Sequence, residues 1–366
     1  MSIVRNIIKA LAPHGYVMSR HRNYFVREYL EWKERGEDVS FDDSCNFRTI
    51  VSIDGFGCSG SSVVMDLLRE YDNCVVWATK PAFTNSDLSD IVELGEMNLV
   101  RHTGGLLFLE KMISKECVLN DFWADAAIKS YMHLVYFCDI YKHYPETRKY
   151  FFHFFDSIVY QHLRSKKNLV NNYLFPYSNI TDIFTLKRMP MEEYHTLCRG
   201  LLYSIFNVIF RDIHKDTLVI DHIFGDCGYD MKRFEPYLPG IKRILVSRDI
   251  RAVYVHAKKK KLEWLAHDNV EEFVKWEERA YHGYVPHSES CLSVRFEDMV
   301  MNYDTETRRV EDYLSLSPAH HTLKKRIFDP SISRANIDSW QDAKEYARDC
   351  EEIRHRLPSL CYNHKG

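Results

Sequence analysis

Glycine and proline are scarce in this chain, at 14 and 11 of 366 residues, roughly half their usual combined share. That scarcity excludes collagen-like and linker-rich sequences and disfavours turn-dense all-β folds. The ten cysteines stand singly, with no CxxC pair, so neither a disulfide framework nor a zinc ribbon is indicated. They read as the reduced thiols of a cytosolic protein. No apolar run approaches the ~20 residues of a membrane-spanning helix, and no apolar stretch near the N-terminus is followed by a small-residue cleavage site. Positive charge is not in excess either: Lys+Arg total 49 against Asp+Glu 52, a net charge of −3, which argues against nucleic acid as a partner.

What is present is apolar and charged residue in ordinary globular proportion, 45% and 28%. A chain of this length and composition buries a full-sized core, and disorder is excluded. Residues 3–11 place Ile3, Ile7, Ile8 and Leu11 on one helical stripe before Pro13 and Gly15. So short a stripe reads first as a helix packed on the domain, with a peripheral foot on the inner face of a membrane as the alternative.

Five segments read as buried strands: Thr49–Asp54, Cys74–Ala78, Thr217–Asp221, Lys242–Ser247 and Cys291–Arg295. Helix-periodic sequence separates them, the pattern of a parallel sheet with crossover helices. From about 95 to 215 no strand is expected. Stretches such as Tyr131–Tyr144, Tyr150–Leu163 and Glu192–Ile213 are aromatic-rich with helical spacing, and such stripes are usually core.

The first strand runs directly into Gly55-Phe56-Gly57-Cys58-Ser59-Gly60-Ser61-Ser62 and then a helical run. A glycine-rich turn between strand and helix directs backbone N–H groups and the positive helix end at one point, which suits a phosphate. Against the template GxxxxGK[ST], Gly55 and Gly60 are correctly separated, yet Ser61 stands where the lysine belongs and Ser62 follows. That lysine offsets charge on the β- and γ-phosphates, so the loop is poorly matched to Mg-ATP. A second anion site is expected where the strand Ile244–Ser247 ends in Arg248, because ligands of parallel sheets gather at strand C-termini and a guanidinium fork grips phosphate.

These segments resemble the PAPS-dependent sulfotransferases. That family's 5′-phosphosulfate loop reads roughly [RK]-S-G-[ST]-[ST]; here the residues are Cys58-Ser59-Gly60-Ser61-Ser62. Its 3′-phosphate motif runs from an arginine through R-[DN]-x-[RK]-[AD]-V to a serine; here it is Arg248-Asp249-Ile250-Arg251-Ala252-Val253, with His256 at the serine position. Val294–Val300 and Glu311–Leu316 look like the family's later signature, so the ordered matches span residues 48–316. The resemblance implies PAPS as donor, PAP as product and no metal. Two departures stand out: Cys58 replaces the basic residue that neutralises the leaving oxygen, and His256 replaces serine.

In-line sulfuryl transfer needs a base for the acceptor proton. By likeness to the family's K-T-H-L-P segment the leading base is His222, at the end of the strand Thr217–Asp221, with Asp221 to orient it or serve instead. Lys80, after the second strand, is the cation available to replace the missing loop charge. Arg334, in Ser333–Trp340, resembles loosely the segment that closes over the 3′-phosphate.

The expected architecture is a three-layer α/β sandwich with a central parallel sheet. It forms one sulfotransferase-like domain over 1–366, with an N-terminal helical segment (about 1–45) and a helical insertion (about 95–215) capping the acceptor side. The expected reaction moves a sulfuryl group from PAPS to a hydroxyl or amine acceptor, a glycan or glycolipid first, as the insertion's aromatic bulk suggests. A P-loop nucleoside or sugar kinase and a non-catalytic nucleotide-binding relative are the alternatives.

Overall fold

A computed structural model describes residues 14–78, 92–93, 99–100, 105–114, 121–137, 139–164, 182–223, 233–262, 265, 268–281 and 291–363. The stripe at 3–11 and Lys80 lie outside the described residues. Strands among the described residues are β1 (Thr49–Gly55), β2 (Cys74–Ala78), β3 (Val92–Glu93), β4 (Val159–Arg164), β5 (Asp182–Leu186), β6 (Thr217–Asp221), β7 (Lys242–Ser247) and β8 (Cys291–Arg295). The chain divides into two compact units, one of residues 47–97 and 212–366 and the other of residues 1–46 and 98–211.

The first unit is an α/β sandwich built on a six-stranded sheet of order β3-β2-β6-β1-β7-β8, with every pair parallel. The five strands expected from buried apolar runs are all in it, since β-branched residues buried on both faces leave little alternative to a central parallel strand. Alternation along β1 sorts its side chains. Val51 and Ile53 join Val76, Val219, Ile244, Val246 and Val294 in a core closed by the helices Ser62–Leu68 and Tyr303–Leu314. Ser52 and Asp54 face the other way, and Asp54 is fully buried. Its carboxylate accepts from Arg243 Nε on β7 at 2.9 Å and from the Ser52 hydroxyl at 3.0 Å. A second cluster joins the helices Ile250–Lys260, Val270–Ala280 and Ala347–Arg356 through Tyr254, Phe273 and Ile353.

The turn after the helix Ser62–Leu68 is fastened from within. Glu70 is fully buried and accepts four hydrogen bonds: from Tyr303 Oη at 3.2 Å, His321 Nε2 at 2.7 Å, and the backbone N–H groups of Ile327 and Phe328 at 2.9 Å each. A carboxylate has only acceptor sites, so this set saturates it.

The other unit is helical, with long helices His14–Arg35, Asp121–Phe137, Arg148–Ile158 and Met191–Ile209. Here the expectation that 95–215 holds no strand is corrected. The helix read over Tyr150–Leu163 stops at Ile158, and β4 follows, pairing antiparallel with β5. Val159 leaves the helical region at φ −86°, ψ 125°, and apolar spacing over so short a segment does not separate strand from helix. The aromatic residues turn inward: Tyr131, Tyr141, Phe151, Phe154 and Phe155 are almost wholly buried, their rings meeting tilted or stacked. The bulk invoked for sugar stacking is therefore mostly core. Among the described residues no helix is long and apolar enough to cross a membrane.

Removing the Glu70 carboxylate strands four donors in the core, so Glu70→Ala is expected to lower unfolding free energy by about 3 kcal/mol or more, as read from urea denaturation.

Candidate functional site

Parallel pairing fixes the site's position. Ile53 of β1 is opposite Asp221 of β6, and Gly55 of β1 is opposite Val246 of β7. The C-terminal ends of β6, β1 and β7 therefore lie side by side, and the glycine loop, Asp221-His222 and Arg248 emerge from one edge of the sheet. The chain leaves β1 toward β2 on one side and returns through β6 to β7 on the other, which makes β1 the point where strand order reverses, the usual ligand position in open α/β sheets.

The loop is tightly wound. Ser59 N–H donates to Phe56 O at 2.8 Å, and a side chain at Gly55 would collide with Ser59 Oγ, 2.0 Å from its Cβ position. Cys58 and Gly60 both have left-handed backbone, φ 63° and 78°; this suits glycine and is strained for cysteine. The helix begins at Ser62, with Ser61 at its N-cap making no side-chain capping bond. Gly57 continues the turn, and Ser59, only 3% exposed, holds its hydroxyl buried with no partner among the described residues.

Phe296, first residue of the helix Phe296–Met301, joins the loop to the second motif. Its ring would lie 2.6 Å from a Cβ at Gly60, and the Arg248 guanidinium stands 4.9 Å from its centroid. Arg248 is 8% exposed; Nη2 donates to Asn336 O at 2.8 Å, while Nε is buried with no acceptor among the described residues. Burial presses the Arg248 pKa down, against the opposing pull of Glu297, Cys58 and Asp249. Asn336 belongs to the short turn Arg334–Asn336, so Arg334, exposed in this structure, is two residues from the atom that holds Arg248.

The rest of the second motif is structural. Asp249 caps the helix Ile250–Lys260 by accepting from Arg251 N–H at 2.9 Å, and its carboxylate also takes the Arg251 side chain at 2.6 and 3.0 Å. Arg251 in turn lies 3.8 Å over the Trp340 ring. Glu297 accepts from Asp249 N–H at 2.8 Å. Sequence reasoning treated Val294–Val300 as a signature without a task; Phe296 and Glu297 are what it places.

His256, half-buried on the helix after Arg248, is held below the ordinary imidazole range by burial and then by the charges of Arg248 and Lys260. It is a neutral donor at neutral pH rather than the second cation its position invites. The Cys58 thiol is pushed up by burial, with Arg248 drawing it down and Glu277 raising it further. Glu277, on the helix Val270–Ala280, is fully buried. The loop position without a cation thus feels a carboxylate, which no motif announced. Tyr281, just past that helix, lies with its ring 3.7 Å from Phe56.

His222 takes left-handed backbone, φ 51°, its N–H donating to Ile53 O at 3.0 Å. Its Nδ1 is in hydrogen-bond contact with Asp221 Oδ1. With Nδ1–H donated to the carboxylate, Nε2 is the atom that takes a proton, the arrangement of an oriented general base. Asp54 acts on the same region: burial raises its pKa, while the charges of Arg243 and His222 oppose the rise. Asp54 and Arg243 escaped notice because a charge inside a strand reads as a break in its pattern. Among the described residues no cluster of three or more His, Cys, Asp or Glu could hold a metal ion.

No family model matches the sequence, and no curated protein matches it. Among solved structures it is similar to the sulfotransferase domain from the Synechococcus PCC 7002 olefin synthase, at 13% identity and a TM-score of 0.40, over 89% of this chain and 99% of that domain.

Because the His256 pKa is lowered, its positive charge forms only below the usual imidazole range of about 6.5. Sulfate keeps its charge from pH 8 to 5, so its stabilisation of the protein in thermal shift is expected to grow as pH falls below the ordinary imidazole range. His256→Gln should flatten that dependence without abolishing binding at pH 8.

Proposed function

We propose that the protein is a sulfotransferase that moves a sulfuryl group from PAPS to a hydroxyl or amine acceptor, releasing PAP. One observation carries this reading. Each of two motifs at one sheet edge holds a buried donor without an acceptor among the described residues, Ser59 Oγ and Arg248 Nε. An unsatisfied buried donor costs about 1–3 kcal/mol, a cost that an oxyanion at each motif removes. Two separated anion sites suit a nucleotide phosphorylated on both sides of its ribose. The loop, without the triphosphate lysine, disfavours ATP.

The residues then divide the work. Gly55–Ser62 cradle the 5′-phosphosulfate, while Arg248, with His256 and Arg334, holds the 3′-phosphate. PAPS supplies the sulfuryl group, whose S–O bond to the 5′-phosphate breaks as the acceptor oxygen bonds to sulfur. His222 Nε2 takes the acceptor proton, and Asp221 holds the imidazole and offsets the charge it gains. Lys80 is the proposed cation for the leaving oxygen in place of Cys58. A glycan hydroxyl is the first acceptor to test.

A second reading is favoured by Cys58 and by the Glu277 charge acting on it: a nucleotide-binding relative without turnover. Thermal shift with adenosine 3′,5′-bisphosphate, ATP–Mg²⁺ and AMP separates the classes. Both readings expect the bisphosphate to stabilise most, and a preference for ATP–Mg²⁺ would mean a kinase. Ser59→Ala and Arg248→Ala should each weaken bisphosphate binding about tenfold or more. Radiolabelled transfer from PAPS to a glycan panel then distinguishes enzyme from binder, and His222→Ala should lower it at least ~10²-fold; full activity in that variant removes His222 from the mechanism.

A further inference from the structure

The sandwich unit holds a buried ion pair that the two anion motifs leave without a task. Asp54 is fully buried in β1, and its Oδ1 has no donor among the described residues, while Oδ2 takes both Arg243 Nε and the Ser52 hydroxyl. Such pairs add little to stability, because apolar residues of similar volume commonly do as well or better. Its value is therefore sought in what it holds in place.

The hydrogen bonds lead to His222. Arg243 donates to Asp54 Oδ2, so that oxygen only accepts, and the Ser52 proton is directed to it. The Ser52 oxygen is thereby left to accept the Ile223 N–H at 3.2 Å. His222 N–H donates to Ile53 O at 3.0 Å. Two consecutive peptide N–H groups are thus fastened to two consecutive residues of β1. His222 itself has φ 51°, a conformation that persists in a non-glycine residue only when its surroundings over-determine it.

Charge follows the same route. Ile53 pairs with Asp221, so Asp54 and His222 are each one residue beyond that pair, and the His222 charge acts favourably on the Asp54 carboxylate. Two other titratable groups adjoin the ion pair: Cys291, the partner of Arg243 on β8, and Tyr313, whose hydroxyl accepts from Arg243 N–H at 3.2 Å. Burial raises the pKa of both, which keeps them protonated.

We propose that Asp54 is a positioning residue for His222, acting through Ser52 on the backbone that carries the imidazole. The proposal deepens the reading of His222 as the base and rests on it.

The test is NMR of the full chain with labelled histidine, the His222 ring signals being assigned by their loss in His222→Gln. At about pH 8, where an ordinary imidazole is neutral, Nδ1 and Nε2 should be widely split in the wild type, as for a ring whose Nδ1–H is held by Asp221. Ser52→Ala, which deletes one oxygen with little risk to folding, should draw the two shifts toward a mixed-tautomer average, and Ser52→Thr, which keeps the hydroxyl, should restore the split. Asp54→Asn should move the ring's titration midpoint to lower pH, since a negative charge that favours the imidazolium is gone. In PAPS-dependent transfer, Ser52→Ala should lower kcat about tenfold or more with KM for PAPS nearly unchanged. A merely structural pair would lower the melting temperature and leave the ring signals alone. Unaltered ring shifts in Ser52→Ala, or an unaltered midpoint in folded Asp54→Asn, overturn the proposal. Ring signals that respond as expected in a protein without transfer activity uphold the positioning role and remove the sulfotransferase reading instead.

Discussion

The contact on which the sandwich unit's site depends is the Phe296 ring, seated against Gly60 and beneath Arg248. It makes one surface of two loops that are nearly two hundred residues apart. Only glycine permits both the left-handed backbone at position 60 and the approach of that ring. Behind Phe296, Glu297 secures Asp249, and Asp249 secures Arg251 and the start of the next helix. The guanidinium that faces the site is thereby held from its ring side, its carbonyl side at Asn336 and its own following residue.

Charge is unevenly distributed across this surface. Arg248 is a buried cation with His256 neutral beside it, while the glycine loop holds a protonated thiol and feels the Glu277 carboxylate. A doubly phosphorylated ligand would meet its strongest electrostatic partner at the Arg248 side and mainly dipoles and hydroxyls at the loop. Preorganised dipoles can stabilise developing charge in a dry site, but they do not match a lysine at a bridging oxygen.

Much of the sheet was legible in the sequence because burial on both faces leaves a continuous apolar signal; Thr217–Asp221 and Lys242–Ser247 were readable to the residue. The glycine loop was legible for the opposite reason, as a local suspension of that signal. Less visible were features whose meaning is purely relational. Asp54 and Arg243 are 189 positions apart and become intelligible only when β1 and β7 are adjacent. Glu277 gains significance from a loop more than two hundred residues earlier. The switch from helix to strand at Ile158–Val159 was hidden because a few aromatic and β-branched residues satisfy both periodicities.

The left-handed backbone at Cys58 bears on how such a loop changes over descent. The conformational cost there is set by the presence of a Cβ and is nearly the same for any unbranched side chain. Cysteine, arginine and lysine are therefore close to interchangeable as far as loop shape is concerned. A lineage can move between an electrically neutral cradle and a cationic one in a single replacement, with the hydroxyls and the partnering guanidinium left in place.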